Sequence, residues 1–307
     1  MVFTIRRFSW LLLLLAACGG CIATDTYKSP FFNQQGVPSV DLATLLKATG
    51  VSSQPSRDDV VAKTQQAWLR PAGVERFELD DVYAHRMPEL KPLFKKLGLI
   101  DDILPQKQQY DYGMVHGGTI LAMRARLGFL AKLWQMGARF KTLVLLVGER
   151  DIYPAHEDLA SFTSHQDRCP MQPGWQPDIL PATEDQAMRV IYDHMVLPDA
   201  MRQVPMVLVN APKKQLPDGR WRRPNTKDTI DSWLKLKPVA GSCLAVSSQP
   251  MVGYQDLTVR CLLPASFSLE TVGFAMPLDF ESAVLCLDSL ARCLYQEQEY
   301  VKQLAAG

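Results

Sequence analysis

Short apolar runs alternate with longer amphipathic stretches from about residue 110 to the end of the chain. Each apolar run has the length of a strand, whereas the amphipathic stretches repeat their apolar positions every three or four residues. The runs predict five strands, at residues 112–115, 143–147, 206–209, 243–246 and 269–272. Fully apolar strands that alternate with helices are typical of a parallel sheet covered on both faces. We therefore predict an α/β fold with an open, doubly wound, mostly parallel sheet of about five strands.

The amphipathic stretches predict the helices that cover this sheet. They lie at residues 120–136, 183–197, 226–236 and 251–263, and a long final helix lies within residues 278–304. Three shorter helical patterns precede the sheet. The first has Asp41 as its cap, the second spans residues 57–69, and the third, within residues 79–99, is interrupted by Pro88 and Pro92. We predict an N-terminal helical region at residues 41–108 and a Rossmann-like α/β domain at residues 109–307.

The first 18 residues have the pattern of a secretory signal. Arg6 and Arg7 precede a short apolar run at residues 10–15, and small residues and a cysteine follow. The run is far shorter than the roughly 20 apolar residues of a permanent membrane span. Residues 15–18, Leu-Ala-Ala-Cys, resemble the bacterial lipobox. The resemblance implies a signal peptide at residues 1–17, cleavage before Cys18 and acylation of the Cys18 thiol.

The lipobox resemblance also implies a location. An acylated Cys18 would anchor the chain in a membrane, and residues 18–40, which lack a sustained period, would form a tether. Gly19 stands where an aspartate favours retention in the inner membrane, so the resemblance implies a lipoprotein of the cell envelope on the periplasm-facing outer membrane. Two alternatives stay open, an ordinary secretory signal cut near residues 21–23 and an uncleaved anchor.

Composition narrows the class of protein. The 307 residues are 47% hydrophobic, which suits a sizeable core and excludes wholesale disorder. The formal net charge of +1 argues against a nucleic-acid partner, which would normally require a basic excess. The seven cysteines match no zinc spacing, so we predict no metal site. Beyond Cys18 we interpret them as small buried hydrophobes, with disulfides left open, and no motif identifies a cofactor.

Ligands of open parallel sheets bind beyond the carboxyl ends of the strands. In this chain those positions, and the helix starts that follow them, carry glycine or polar residues. The candidate ligand-binding residues are Gly117, Gly118, Thr119, Arg124, Arg126, Arg150, Asn225, Asp228, Ser247 and Gln249. Residues 117–119 open a helix and predict an anion site at its N-terminus, where backbone N–H groups and the helix dipole favour negative charge. A tight turn with a threonine cap is the alternative.

Two residues are candidates for acid–base chemistry. Glu149 directly follows the strongest predicted strand and has Arg150 beside it as a cation, although a salt bridge that pins the loop is the alternative. His116 is the weaker candidate, because a hydrogen-bonded structural imidazole explains it as well. Ser247 lacks the surroundings of a nucleophile elbow, which favours a ligand-binding hydroxyl. Residues 156–158 and His165 are interpreted as solvated loop positions.

Three short segments carry a resemblance to a known family. They are Met-Arg-Ala-Arg-Leu at residues 123–127, Asn-Thr-Lys-Asp-Thr at residues 225–229 and Ala-Val-Ser-Ser at residues 245–248. With them, residues 111–273 resemble the YdcF/SanA-type bacterial Rossmann-like domain. The resemblance implies an envelope-associated role and a nucleotide-like or phosphorylated ligand. The chain departs from the family pattern at residues 148–150, Gly-Glu-Arg, where the family often has Ser-Gly-Gly. It also departs at Gln249, Tyr254 and Gln255, where a histidine and an Arg-Ala pair are common.

Two functions therefore stay open. In the first, an envelope lipoprotein binds a small polar or phosphorylated molecule at the strand ends and, in the stronger form of the hypothesis, processes it. In the second, the protein is a non-catalytic envelope factor that acts through protein–protein contacts, and the helical region docks the partner.

Overall fold

The computed structural model describes residues 27–71, 73–278 and 281–306. The predicted signal peptide, Cys18 and the first part of the predicted tether lie outside these residues. Within the described ranges, none of the helices combines the length and the apolar character needed to cross a membrane. The lipoprotein interpretation therefore stays a prediction.

One sheet of five parallel strands forms the centre of the molecule, which confirms the predicted α/β class. The described residues contain seven strands, five in this sheet and two, β4 and β5, outside it. They are β1 (Gln109–His116), β2 (Arg139–Gly148), β3 (Met206–Ala211), β4 (Lys214–Gln215), β5 (Trp221–Arg222), β6 (Ser242–Ser248) and β7 (Ser268–Phe274). The sheet order is β3–β2–β1–β6–β7, and β4 and β5 form a separate antiparallel hairpin. Each predicted apolar run lies within an observed strand of the sheet.

Helices cover both faces of this sheet and form a further layer outside it. They are α1 (Val40–Ala48), α2 (Arg57–Trp68), α3 (Met87–Lys96), α4 (Ile120–Gln135), α5 (Ala160–Thr163), α6 (Glu184–His194), α7 (Asp199–Arg202), α8 (Thr226–Lys235), α9 (Val252–Arg260) and α10 (Ala283–Ala306). Two 3-10 turns, Arg76–Glu78 and Ala84–Arg86, lie between α2 and α3. Helices α4 and α6 contact one face of the sheet, and α8 and α9 contact the other.

The strands bury both of their faces, because successive side chains along a strand point to opposite sides. Val115 belongs to the core beneath α4 and α6, whereas its neighbour Met114 packs with Ile230 and Trp233 beneath α8 and α9. Because both cores exclude water, the strands read as continuous apolar runs rather than as alternating ones.

A third core joins the N-terminal helices to the last helix of the chain. Leu42 and Leu45 of α1 and Phe94 of α3 are buried together with Leu287 and Leu290 of α10. Helix α10 also packs along α9 and α2. The helical layer thus combines the two ends of the described chain and rests on the α8/α9 side of the sheet.

Three local features of the helical region differ from the sequence prediction. Ser39, two residues before the predicted cap Asp41, accepts a hydrogen bond from the first turn of α1, so that Asp41 lies inside that turn. Pro88 stands near the start of α3, where its missing N–H costs nothing. The helix then continues through Pro92, because Leu90 and Phe94 on either side of it are both fully buried.

The predicted tether is packed over part of its length. Phe31 and Phe32 are each 4% exposed and belong to the core of the helical layer. The Ser29 hydroxyl accepts hydrogen bonds from both of their backbone N–H groups. Burial of two phenyl rings stabilises this segment more than its turn-like sequence indicates.

Candidate functional site

The order of the strands reverses between β1 and β6, since β2 and β3 extend to one side and β7 to the other. In open α/β sheets ligands bind in the crevice outside this point. His116 and Gly117 end the β1 side, and Ser247 and Ser248 end the β6 side. We call this place the β1–β6 crevice. Alternation along the strands directs His116 and Ser247 toward α8 and α9, and Ser248 toward α4.

Arg150, which follows β2, is enclosed by two buried carboxylates. Its Nη atoms donate to both Glu157 oxygens at 2.7 and 2.9 Å, and its Nε donates to Glu184 Oε2 at 2.8 Å. A further bond of 2.7 Å reaches the Gly118 carbonyl. Burial alone would lower the pKa of Arg150, but the hydrogen bonds of Glu157 and the charge of Glu184 raise it. The guanidinium therefore ties together three loops, as in the salt-bridge alternative for this position.

The N-terminus of α4, predicted as an anion site, is occupied by carboxylates of the protein itself. Glu157 Oε1 accepts a hydrogen bond from the Ile120 N–H at 2.9 Å. A Cβ atom on Gly117 would lie only 1.9 Å from Glu184 Oε1, so that carboxylate rests directly on the glycine backbone. Thr119 caps the helix through its hydroxyl. The turn thus binds internal negative charge, which satisfies the helix dipole without an external ligand.

Arg124 is fully buried and points away from the crevice. Its Nη atoms donate to the Ser161 carbonyl at 2.8 Å and to the Cys169 carbonyl at 2.6 Å. These bonds fasten the loop after β2 to α4.

Arg126 lies inside the crevice and is 3% exposed. It donates to the His116 carbonyl at 3.1 Å, to the Gly117 carbonyl and to the Ser248 hydroxyl at 3.1 Å. Burial and the positive charge of Arg76 lower the pKa of Arg126 to about 10. No carboxylate of the described residues lies within ion-pair distance of it. Glu157 and Glu184 around Arg150 balance the charge of Arg126 at longer range, because these two carboxylates and the Arg150 guanidinium together carry one negative charge in excess.

Glu149 lies apart from these groups. Its side chain is exposed, and Oε2 accepts a hydrogen bond from the Lys213 backbone N–H at 3.0 Å. An exposed carboxylate held by the backbone of a neighbouring loop lacks the burial that tunes an acid or base. Its acid–base role stays a prediction without support from the geometry.

His116 is 2% exposed, and its Nε2 has no hydrogen-bond partner among the described residues. Burial, and to a smaller extent the charge of Arg126, lower the pKa of His116 to about 3. The imidazole is therefore neutral at physiological pH. A neutral ring with an unpaired nitrogen at the strand switch is a candidate for ligand contact.

Asn225 and Asp228 begin α8 as a capping box. Asp228 N donates to Asn225 Oδ1 at 3.1 Å, and Asn225 N donates to Asp228 Oδ2 at 2.9 Å. The Asp228 carboxylate, 3% exposed, also pairs with Arg222 at 2.9 Å and with Lys214. These contacts dock the β4–β5 hairpin on α8.

The residues after β6 form two internal contacts. The Ser247 hydroxyl donates to Gln255 Oε1. Gln249 Nε2 donates to the carbonyls of Gly98 and Asp101, at 2.9 and 3.0 Å. Gln249 thereby connects the end of the strand to the helical layer.

Four residues that the sequence interpretation did not select shape this region. Glu157, interpreted as a solvated loop position, is 1% exposed, and Glu184 is 7% exposed. The sequence around each carboxylate does not predict its burial, because that burial depends on the pairing with Arg150 in the folded structure. Arg76 lies in an aperiodic stretch of the helical region, and Tyr254 stood out only as a departure from the family pattern.

Arg76 reaches the crevice from the helical layer. Its guanidinium carbon lies 5.9 Å from the centre of the Tyr254 ring, and Nη1 donates to Met251 Sδ at 2.9 Å. A thioether is a weak acceptor, and Arg76 Nε, 3.5 Å from Asp288 Oδ2, has no hydrogen bond of good geometry. Burial raises the pKa of Tyr254, but Arg76 and a hydrogen bond with Thr226 more than offset it, and the net pKa is lowered.

Two surface cavities lie away from the crevice. One of about 380 Å³ runs along α8 and is lined by Lys214 and Asp228. The other, of about 540 Å³, lies at the opposite end of the sheet, beside Arg260 and Tyr300. Within the described ranges no group of three His, Cys, Asp or Glu side chains is arranged to hold a metal ion.

Comparison with known proteins does not identify a function for this site. No protein-family model, curated protein or solved structure matches the chain. The resemblance to the YdcF/SanA-type domain therefore stays an interpretation of short motifs.

Proposed function

We propose that this protein is an envelope-tethered binding protein for a small anionic molecule, carboxylated or phosphorylated, which contacts Arg76 and Tyr254 at the β1–β6 crevice. The ligand is of the class that the sequence interpretation predicted, a small polar or phosphorylated molecule, but the residues that contact it are different. The cations first considered, Arg124 and Arg150, are engaged by internal partners.

One observation carries the proposal: the ion pairs around Arg76 contain more guanidinium groups than carboxylates. Asp288 pairs with Arg76 and Arg292 at 3.5 and 3.0 Å, and Glu75 pairs with Arg70 and Arg223 at 3.8 and 3.1 Å. Four guanidinium groups thus share two carboxylates, a formal surplus of two positive charges. Burial, together with the like charges of Arg76 and Arg292, lowers the pKa of Arg70. An added anion would relieve this repulsion.

The donors available suit a carboxylate or a phosphate. Arginine presents a planar fork of N–H groups that binds two oxygens at once. The Tyr254 hydroxyl can donate a further hydrogen bond. Helix α9 begins at Val252, so its positive dipole end lies beside Met251 and Tyr254. We assign binding and no reaction, because Glu149 is exposed and lies apart from these donors.

Anion binding to the purified full chain tests the proposal. We expect inorganic pyrophosphate or citrate to bind saturably in calorimetry. Arg76→Gln should weaken that binding about 10-fold or more, the effect of one charge-assisted hydrogen bond of about 1.5–3 kcal/mol. Arg220→Gln is the matched control, because Arg220 is an exposed arginine paired with Asp218 on the hairpin. Absence of saturable binding, or equal affinity in the Arg76 variant with its fold intact, would refute the proposal.

The tethering part of the proposal has its own test. Mass spectrometry of protein extracted from membranes should show an N-terminal peptide that begins at an acylated Cys18. A peptide that retains Met1, or a mature chain that begins near residue 24 without lipid, would overturn it.

A second candidate function is a non-catalytic envelope factor that acts through protein contacts. The observation that favours it is the hairpin of β4 and β5. Lys214 and Arg222 pair across it and face Asp228, so Trp221 points outward and is 64% exposed. Tryptophan beside arginine is common at the centre of protein interfaces. Loss of a specific interaction in Trp221→Ala, with unchanged anion binding, would support this function.

A further inference from the structure

We infer that residues 73–79 form a lid over the β1–β6 crevice, which opens to admit the anionic ligand and closes to bring Arg76 onto it. The inference rests on the proposed function, because it concerns access to the same site. It assigns to the helical layer a role in binding rather than in support alone.

The lid is fastened at both ends to the start of α10. On one side, the Arg70 backbone N–H donates to Asp288 Oδ1 at 3.1 Å. On the other, Asp81 Oδ2 accepts from the Ala283 N–H at 2.9 Å. Both anchors lie within the first two turns of one helix, so the segment between them leaves and returns at nearly the same place. Such a loop can swing without disturbing the helices that precede and follow it.

Between these anchors the backbone is bonded only to itself, as far as the structure describes it. Val74, Glu78 and Leu79 donate to carbonyls three residues earlier in the chain. Gly73 has a φ of +85° and open space around its Cα, so it provides a flexible turn at the start of the lid. Local backbone bonds are retained when a loop moves as a unit, and movement then costs only the side-chain contacts.

Side chains hold the lid against both walls of the crevice. On the α9 wall, Arg76 contacts Met251 and Tyr254. On the other wall, Glu75 Oε1 pairs with Arg223 Nη2 at 3.1 Å. Arg223 is 40% exposed at its side chain, so this pair is accessible to water and salt. We call the Glu75–Arg223 pair the latch, because it joins the free side of the lid to the segment before α8.

The strength of the latch sets how far its loss can change the opening equilibrium. Partly exposed ion pairs contribute about 0.2–1 kcal/mol, which corresponds to a factor of about 1.4 to 5 in an equilibrium constant. Loss of the latch should therefore raise the open fraction by that factor. Arg76 keeps its place on the lid, so the closed complex should keep the Arg76 contact and lose only the attraction of the Arg223 charge.

Exchange and binding kinetics of the full chain test the lid. In Arg223→Gln we expect amide exchange in residues 73–79 to rise by about 1.4- to 5-fold. The association and dissociation rates of pyrophosphate should both rise, because the lid opens more often. The dissociation rate should rise more, since Arg223 also belongs to the surplus of positive charge that attracts the anion. Lys227→Gln is the matched control, since it removes a nearby exposed cation that pairs with Asp231 and not with the lid.

The outcomes separate the lid from the binding site itself. Unchanged exchange in the Arg223 variant, or faster exchange with unchanged binding rates, would overturn the lid while binding that depends on Arg76 still supports the site. Equal acceleration in the Lys227 control would overturn the lid as well, because it would indicate a general charge effect. If the unmodified protein binds no anion, both the binding site and the lid are refuted.

Discussion

Replacement of Arg150 by methionine should destabilise the protein severely, and the effect should not depend on a ligand. Arg150 is 5% exposed, and its removal leaves Glu157 and Glu184, at 1% and 7% exposed, without their cation. Breaking a buried pair from one side costs about 3–5 kcal/mol, because the remaining charge stays desolvated. Since a domain of this size loses roughly 2–4 °C in Tm for each kcal/mol, we expect a fall of about 10 °C.

The loss of stability in the Arg150→Met variant should be larger at high pH than at low pH. Burial raises the pKa of Glu184 even with Arg150 in place. Without Arg150 the pKa must rise further. A carboxyl group with a raised pKa in the folded state favours folding at low pH, and this contribution is lost as the pH rises above about 4.3 and through the folded pKa. The deficit of the Arg150→Met variant should therefore be smaller at pH 5 than at pH 8.

Urea unfolding at both pH values measures this effect. The triple variant Arg150→Met/Glu157→Gln/Glu184→Gln removes all three charges and should recover much of the stability. Arg220→Met, at an exposed ion pair, should change stability by less than about 0.5 kcal/mol. A loss below about 1 kcal/mol in Arg150→Met, or a deficit that does not vary between pH 5 and pH 8, would refute the charge-burial argument.

Three further predictions concern residues at the strand ends. Gly117→Ala should lower the urea midpoint, because its Cβ would lie 1.9 Å from Glu184 Oε1, and a midpoint equal to the unmodified protein would contradict that contact. Asp228→Asn should cost about 1–2 kcal/mol in urea unfolding, because it weakens the capping box with Asn225 and removes the charge that pairs with Arg222, and far-UV circular dichroism should show a small loss of helix rather than global unfolding. The His116 ring should stay neutral in NMR titration down to about pH 5, since its pKa is lowered to about 3. Because the unfolded chain protonates near pH 6.5, stability should fall as the pH falls below that value, and a His116 titration near pH 6.5 would disprove the burial argument.

Hydrophobic patterning was sufficient to predict the fold class. The five apolar runs match the five strands of the sheet because each strand is buried on both faces, and that burial leaves a continuous signal in the sequence. The ends of α8 and α4 were predicted closely for a related reason. Asn225 and Thr119 act on their own helices through local hydrogen bonds, which depend only on neighbouring residues.

The sequence predicted where several candidate residues lie in the sheet, but not which partners they have. The strand-end rule directed attention to His116, Arg126 and Ser247, and the structure places all three at the β1–β6 crevice. It could not predict that Glu157 and Glu184 pair with Arg150. Glu157 lies in the aperiodic loop that also carries Arg150, and Glu184 at the start of α6 lies 34 residues from Arg150 and meets it only when α6 packs on β2.

The sequence by itself therefore determined the elements, the class of sheet and the sheet edge at which the candidate residues lie, since these follow from periodicity and from the common direction of parallel strands. Only the tertiary structure decided which polar side chains remain available there. Arg124 and Arg150 are residues of a type that binds anions, but internal oxygen acceptors engage their Nη atoms. Arg76 comes from a distant aperiodic segment, and its Nη1 donates only to the Met251 thioether. Pairing between charges far apart in the chain is a property of packing, and no local pattern records it.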